Sequence, residues 1–264
     1  MSVADVGTQD VLFEVRGPVA WVTFNRPESR NAMKFEMYDE LVRICDVVEA
    51  DADIRVLVLT GAGEKAFVAG TDISQFREFT DPQHALDYES RIGAVLDRLE
   101  KVARPTIAAI RGYAVGGGAT LALACDMRIV TPDAKFGVPI ARTLGNCLST
   151  SAVARLIDLI GPARTKELIF TASMVGAEDA KAIGLANEIV EPANLEARVT
   201  EIAEHIASLA PVTLQVTKES VRRVLAHRRM PRDEELILRA YMSDDFKEGV
   251  NAFLEKRKPN WQGR

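Results

Sequence analysis

The sequence predicts an α/β fold on three observations. In the first half, short apolar runs alternate with stretches whose apolar residues recur at helical spacing. Several of these runs end at glycine, and the order strand, glycine turn, helix, strand is typical of α/β proteins. After about Ser149 the pattern becomes helical almost throughout. The 264-residue chain is therefore expected to combine an α/β part with a helical part.

The elements of the α/β part can be taken in chain order. Apolar runs predict strands at residues 11–15, 19–24, 55–60, 67–69, 106–110 and 128–130. Gly17 and Pro18 predict a turn between the first two strands. Helical spacing predicts helices at 33–48, 84–102 and 119–125. The last of these follows the triplet Gly116, Gly117 and Gly118.

The second half is predicted to be mainly helical. The predicted helices are residues 151–159, 163–170, 178–183, 193–209, 212–227, 233–242 and 244–256. No internal repeat interrupts them. The last 60 or so residues are expected to pack either on the α/β part or on a neighbouring subunit.

Composition and charge exclude several function classes. Lys and Arg total 33 and Asp and Glu total 38, so the net charge is −5 and there is no overall basic footprint for nucleic acid. The three cysteines and three histidines form neither a disulfide framework nor a metal-binding spacing. They are Cys45, Cys125, Cys147, His84, His205 and His227. No signal peptide or membrane-spanning run is recognisable, so a cytoplasmic protein without metal is expected.

Two corners of the chain combine a strand end, glycine and a helix start. They lie at residues 69–73 and 115–119. Backbone N–H groups at a helix N-terminus point outward, and glycine lets another molecule approach them. Two such donors on one oxygen would form an oxyanion hole, although glycine at a single corner is more often only a turn or packing device. Neither corner has the pattern of a phosphate-binding loop.

The order of the motifs resembles the crotonase family, also called the enoyl-CoA hydratase/isomerase family. The matching segments are residues 25–27, 30–33, 66–73, 104–105, 110–118, 125–126, 135–137, 184–186 and 248–258. The resemblance implies a spiral of ββα units over residues 1–200. It also implies a helical region at 201–264 that builds homotrimers or dimers of trimers. The expected ligand is a coenzyme A thioester that serves as substrate, with no permanently bound cofactor.

The resemblance also implies site residues. Thr71 and Gly117 match the positions whose backbone N–H groups hold the thioester oxygen. Seven further positions match residues that border coenzyme A: Arg30, Ala32, Ala69, Gly70, Ile73, Phe253 and Lys256. For Phe253 and Lys256, an ordinary packing contact and a solvated charge remain alternatives.

The chain departs from this family at the two positions that carry the catalytic glutamates of hydratases. Thr120 and Ile140 stand there, and neither side chain is a useful base at neutral pH. Arg142, Asn146 and Cys147 follow in a polar segment and are candidates to face the acyl group, Arg142 as a catalytic residue. The alternative is a loop that satisfies its own hydrogen bonds.

Three functions therefore remain open at this stage. The first is an acyl-CoA enzyme that stabilises a thioester enolate, with two-glutamate hydration disfavoured and isomerase, hydrolase-like, dehalogenase-like and decarboxylase reactions possible. The second is an acyl-CoA-binding protein that has lost catalysis. The third is an assembly protein without a coenzyme A site, which gives no reason for the two glycine corners.

Overall fold

A computed structural model describes residues 5–226 and 234–263. The strands are β1 (Val11–Arg16), β2 (Val19–Phe24), β3 (Val56–Gly61), β4 (Ala66–Val68), β5 (Thr106–Ile110), β6 (Tyr113–Val115), β7 (Met127–Val130), β8 (Lys135–Gly137), β9 (Val175–Gly176) and β10 (Glu188–Ile189). The helices are α1 (Phe35–Ala50), α2 (Pro82–Lys101), α3 (Gly117–Ala124), α4 (Ile140–Thr143), α5 (Thr150–Phe170), α6 (Ala177–Ala182), α7 (Leu195–Ser208), α8 (Pro211–Ala226), α9 (Glu234–Tyr241) and α10 (Asp244–Leu254). Of the predicted helix ends, His227 and Asp233 lie outside the described residues.

The larger sheet has six strands in the order β1-β2-β3-β5-β7-β10. β1 and β2 form the predicted antiparallel hairpin, and every later neighbour is parallel. Its central strands are buried on both faces, which explains why they read as continuous apolar runs. On one face, α7 packs through Leu195, Val199 and Ala203.

The smaller sheet creates the repeating unit of the fold. Its four strands run in the order β4-β6-β8-β9, with the first three parallel. β3, β5 and β7 of the larger sheet are each followed directly by β4, β6 or β8 of the smaller sheet and then by a helix. The predicted α/β spiral of ββα units is therefore confirmed.

The strands of the smaller sheet were largely missed by the sequence analysis. Each contains only two or three residues, too few for a hydrophobic period to be recognised. Helix α5 agrees with the prediction of two helices, since its helical conformation is interrupted at Gly161, where φ is 73° and ψ is 165°. Pro162 follows, and the predicted gap between residues 159 and 163 coincides with this interruption.

The C-terminal helices return to the α/β part. α9 packs against α2, and α10 packs against α4 and the 3₁₀ turn Ile73–Glu78. Between them lies an aromatic cluster formed by Phe76, Phe79, Tyr88, Tyr241 and Phe246. The predicted boundary at residue 200 falls within α7, whose first turns pack on the sheet.

Arg155 joins α5 to α2 by two ion pairs in which the arginine side chain is buried. Its side chain is 1% exposed, and its guanidinium donates to Asp97 at 2.6 Å and to Glu100 at 2.8 and 3.0 Å. A third nitrogen donates to the hydroxyl of Ser151 at 2.8 Å. The planar fork of arginine fits these acceptors in a way that lysine cannot reproduce.

We expect Arg155→Ala to lower the free energy of unfolding by about 3 kcal/mol, because it removes a fully buried side chain together with its charged hydrogen bonds to Asp97 and Glu100. The matched control is Arg164→Ala, which removes an exposed pair with Glu167 on the same helix and should change stability by less than about 0.5 kcal/mol. Urea unfolding followed by circular dichroism measures both. Equal effects of the two substitutions would contradict the structural role of Arg155.

Candidate active site

A cavity of about 450 Å³ lies where the two glycine corners meet α2, α4 and the end of α10. Its lining combines backbone at the corners with mostly apolar side chains deeper inside. The apolar side chains are Ile73, Phe76, Ile92, Leu96, Ile140, Leu144 and Leu148. The polar ones include Thr71, Asp72, Tyr88, Glu89, Thr120 and Asn146. An apolar cavity with a few convergent polar groups is typical of a small-molecule site.

The first corner follows β4 and is fixed by a parallel bridge between Met33 and Thr71. The Met33 N–H donates to the Gly70 carbonyl, and the Asp72 N–H donates to the Met33 carbonyl, both at 2.8 Å. These two bonds do not use the N–H of Thr71. Gly70 has a φ of 116°, a conformation that suits glycine.

Asn31 holds the preceding loop in place. It is fully buried with a φ of 58°, in the left-handed region that asparagine tolerates better than most residues. Its side-chain amide donates to the carbonyls of Ala62 and Ala66 and accepts from the Arg26 N–H. This explains why asparagine stands in the segment of residues 25–33, and it is a positioning role that the sequence analysis did not assign.

The second corner begins α3. Gly116 has φ 54° and ψ −119°, and Gly117 is the first helical residue, so its N–H lacks a partner within the helix. A Cβ on Gly118 would collide with the carbonyl of Val68, the last residue of β4 before the first corner. A Cβ on Gly117 would lie 2.5 Å from the Tyr38 hydroxyl and 3.6 Å from the Thr71 nitrogen. The absence of side chains thus brings the Thr71 and Gly117 backbones together.

The side chain of Thr71 is held between two tyrosines. Its hydroxyl lies 3.0 Å from the hydroxyls of both Tyr38 and Tyr88. Burial raises the pKa of Tyr38 to about 12, and burial also raises the pKa of Tyr88 well above its usual value. Both phenols therefore stay protonated at neutral pH and keep Thr71 in one orientation.

Most of the predicted site residues lie at this cavity. Thr71, Gly117, Arg30, Ala32, Ala69, Gly70, Ile73 and Phe253 all contribute to its lining. Arg30 has a φ of 52°, and its guanidinium lies 5.7 Å from the centroid of the Tyr113 ring. Phe253 is 51% exposed and lies at the rim.

Arg142 and Lys256 are not brought to the cavity lining. Arg142 is exposed on α4 while its neighbour Ile140 faces the cavity, because successive residues of a helix point in different directions. Lys256 is exposed just beyond α10. Within the same polar segment, Asn146 and Cys147 do line the cavity.

Thr120 and Ile140 both line the cavity and are both buried. The Thr120 hydroxyl donates to the Gly117 carbonyl at 2.9 Å, so it is used within its own helix. Ile140 begins α4 and presents only hydrocarbon. Neither residue supplies a carboxylate at its position.

Two cavity residues on α2, Tyr88 and Glu89, were missed by the sequence analysis. They stand in a helix of ordinary composition, and no local pattern marks them. Glu89 is 9% exposed and accepts a hydrogen bond from the Tyr241 hydroxyl at 2.6 Å. Tyr241 belongs to α9, far away in sequence, so only the tertiary fold shows the relationship.

Asp72 supports the first corner through the charge of its carboxylate. Burial alone raises the pKa of Asp72. Hydrogen bonds from the hydroxyl and N–H of Ser74 and from the Arg26 guanidinium lower the pKa by more than burial raises it, so the pKa lies below its usual value. Arg26 reaches Asp72 at 3.2 Å and the Ala32 carbonyl at 2.6 Å. One guanidinium thus connects the two loops that border the cavity.

In residues 5–226 and 234–263, no group of three or more His, Cys, Asp or Glu side chains is arranged to hold a metal ion. Over the same residues, no helix combines the length and apolar character needed to cross a bilayer.

The ββα spiral and a cavity built between two glycine corners define the class of protein, and comparisons with known proteins give the same class. The family model described as "Enoyl-CoA hydratase/isomerase" matches residues 14–264. The chain therefore belongs to the enoyl-CoA hydratase/isomerase family, whose enzymes act on coenzyme A thioesters.

Relatives and solved structures extend over the whole chain. It is 37% identical to a short-chain-enoyl-CoA hydratase of Clostridium acetobutylicum, covering 94% of this chain and 96% of that protein. It is 38% identical to an (E)-benzylidenesuccinyl-CoA hydratase of Thauera aromatica, covering 96% and 99%. A structure of methylmalonyl-CoA decarboxylase in complex with 2-nitronate-propionyl-CoA has a TM-score of 0.88 and 31% identity, covering 98% and 100%.

We expect the stabilising effect of the Asp72 carboxylate to disappear in acid. A lowered folded-state pKa contributes stability above the unfolded value, near pH 4, and this contribution is lost as pH falls through the folded-state pKa. Asp72→Asn should therefore destabilise the protein at pH 7, and this deficit should shrink progressively as the pH falls below about 4. Denaturant unfolding at several pH values measures this.

The control for that experiment is Asp53→Asn, which alters an exposed carboxylate away from the cavity. It should leave stability almost unchanged at every pH. A deficit of Asp72→Asn that stays constant as the pH falls from 7 to well below 4 would contradict the electrostatic explanation.

Proposed function

We propose that the backbone N–H groups of Thr71 and Gly117 form an oxyanion hole that stabilises the enolate of a bound acyl-CoA thioester. The observation that carries this proposal is the approach of the two corners, where a Cβ on Gly117 would lie 3.6 Å from the Thr71 nitrogen. Neither donor depends on a side chain. Preformed N–H donors stabilise a developing oxyanion without reorganising during the reaction.

The coenzyme A arm is proposed to enter along the first corner and the neighbouring loop. Arg30, Ala32, Ala69, Gly70 and Ile73 border this path, and all five line the cavity. Coenzyme A is an anion, and the chain carries −5 overall, so local cations must provide the attraction. Arg30 is such a cation at the cavity. Phe253 and Lys256, at the rim and just outside it, are proposed to contact the arm from the C-terminal helix.

The acyl group is proposed to occupy the apolar interior of the cavity. The reaction there is proposed to differ from hydration by two glutamates. Thr120 and Ile140 support this, because neither can activate water or protonate carbon at neutral pH. The relatives are consistent with chemistry centred on an enolate, since hydration of an enoyl thioester and decarboxylation of a malonyl thioester can both pass through one. Hydration of crotonyl-CoA at about 1 to 10³ turnovers per second would contradict this part of the proposal.

We expect removal of the Gly117 N–H to weaken enolate binding selectively. Acetoacetyl-CoA ionises to an enolate that absorbs in the near ultraviolet, so its bound enolate fraction reports on the hole without any enzymatic base. In a Tyr38→Phe background, which removes the atom nearest to a Cβ at this position, Gly117→Pro should lower the ratio of bound enolate to bound keto form by about 100-fold relative to Gly117→Ala.

The Gly117→Ala variant is the matched control, because it adds the same Cβ and keeps the N–H. Equal enolate fractions in the two variants would remove Gly117 from the site. Calorimetry with acyl-CoA and a screen of enoyl, dienoyl and β-hydroxyacyl thioesters complete the test. Binding without turnover of any of them would favour the non-catalytic acyl-CoA-binding protein.

We further propose that residues 201–264 join copies of this chain into trimers or dimers of trimers. Support comes from α8, a helix of sixteen residues in which none of the described side chains is buried. Val212, Val216, Val221 and Val224 are each more than half exposed on it. Large apolar side chains grouped on one helix are typical of a subunit interface. The cytoplasmic location stays a prediction.

We expect the double substitution Val216→Glu and Val224→Glu to dissociate the assembly, since burying two carboxylates in an interface is costly. Sedimentation equilibrium should give three or six times the mass of one chain for the wild type and a smaller multiple for the variant. The control changes the exposed Arg223 to Glu. A wild-type protein that sediments as a monomer would overturn the proposal.

A further inference from the structure

The carboxylate of Glu89 lies in the wall of the cavity, although α2 is not one of the glycine corners. Glu89 is 9% exposed and belongs to the cavity lining. The Tyr241 hydroxyl donates to its Oε1 at 2.6 Å, and the same hydroxyl accepts a hydrogen bond from Nδ2 of Asn146 at 3.1 Å. These three residues come from α2, α9 and the segment after α4.

This carboxylate shares a cavity with the proposed oxyanion hole, since Glu89, Thr71 and Gly117 all belong to the cavity lining. Tyr88, the neighbour of Glu89 on α2, contacts the Thr71 hydroxyl at 3.0 Å. The other carboxylate among the described lining residues, Asp72, is occupied by Ser74 and Arg26.

A buried carboxylate in an apolar wall is expensive unless it is hydrogen-bonded, and the Tyr241 hydroxyl provides such a bond. Burial, with the nearby charge of Glu89 as a further cause, raises the pKa of Tyr241 well above its usual value, so its hydroxyl remains a donor. A carboxylate in this wall can also take up and return a proton, which the amide of a glutamine cannot do. The group is therefore a candidate for chemistry as well as packing.

We propose that Glu89 is the acid–base residue of this site, exchanging a proton with C2 of the bound acyl-CoA thioester. The assignment rests on the proposed enolate function. The Glu89 carboxylate takes the C2 proton, and the electron pair of the C–H bond forms a C1–C2 double bond while the thioester oxygen becomes the oxyanion. Returning the proton to C2 restores the thioester. When the substrate is a β,γ-unsaturated thioester, delivery of the proton to C4 instead of C2 moves the double bond to C2–C3. No other reactant is needed.

The test follows incorporation of deuterium at C2 of butyryl-CoA and of phenylacetyl-CoA in D₂O, measured by mass spectrometry. Wild-type protein should incorporate deuterium, and Glu89→Gln should lose at least about 100-fold in rate. Glutamine keeps the shape and the bond from Tyr241, so a purely structural role predicts no such loss. Calorimetric affinity for the same thioesters should change less than about threefold.

Two further variants separate chemistry from packing. Asp87→Asn makes the same chemical change on an exposed residue of α2 and should exchange at the wild-type rate. Tyr241→Phe breaks the hydrogen bond to Glu89 but keeps the carboxylate, so it should lose less than about tenfold. Glu89→Asp should recover part of the rate that Glu89→Gln loses.

The assignment of Glu89 is overturned if Glu89→Gln exchanges as fast as wild type. It is also overturned if the wild type binds both thioesters and exchanges neither. These outcomes leave the oxyanion hole intact, because the acetoacetyl-CoA measurement needs no enzymatic base. Conversely, equal enolate fractions in the two Gly117 variants remove the hole, whatever Glu89 does.

Discussion

The site depends on a steric constraint: two backbone corners approach so closely that side chains cannot fit between them. A Cβ on Gly118 would meet the Val68 carbonyl, and one on Gly117 would meet the Tyr38 hydroxyl. The ββα repeat makes the approach possible, because β4 and β6 are neighbours in the smaller sheet and each ends at one corner. Tyr38 and Tyr88 then fix Thr71 of the first corner against the second corner, which contains Gly117. The cavity is built outward from this contact.

Much of the fold could be predicted from the sequence, because central strands and long helices have strong hydrophobic periods. The smaller sheet could not, since strands such as β6 and β9 are too short to show alternation. The glycine corners were found because glycine is locally conspicuous. Asn31 and Glu89 were not assigned, because their roles depend on partners distant in sequence: Ala62 and Ala66 for Asn31, and Tyr241 for Glu89.

The C-terminal helices support the cavity wall, which subunit assembly alone would not require. Tyr241 and Phe246 are buried against Phe76, which lines one side of the cavity. Leu236 on the same helix α9 is half exposed. One short segment can thus support the cavity wall on one side and offer apolar surface on the other. A change in subunit packing there would also change the environment of Glu89.

The bonds made by Asn31 and Arg26 have a consequence for ligand affinity. They connect the loop of residues 25–33 to Ala62, Ala66 and Asp72, and Arg26 also bonds to Ala32 within the loop. All of these bonds are made by groups of the protein itself. The loop is therefore ordered before any ligand arrives, and binding does not have to restrict a flexible segment, a step that otherwise opposes association. Under the proposed function, contacts along the coenzyme A arm therefore lengthen the time for which the thioester stays bound, because they need not offset the cost of ordering this loop.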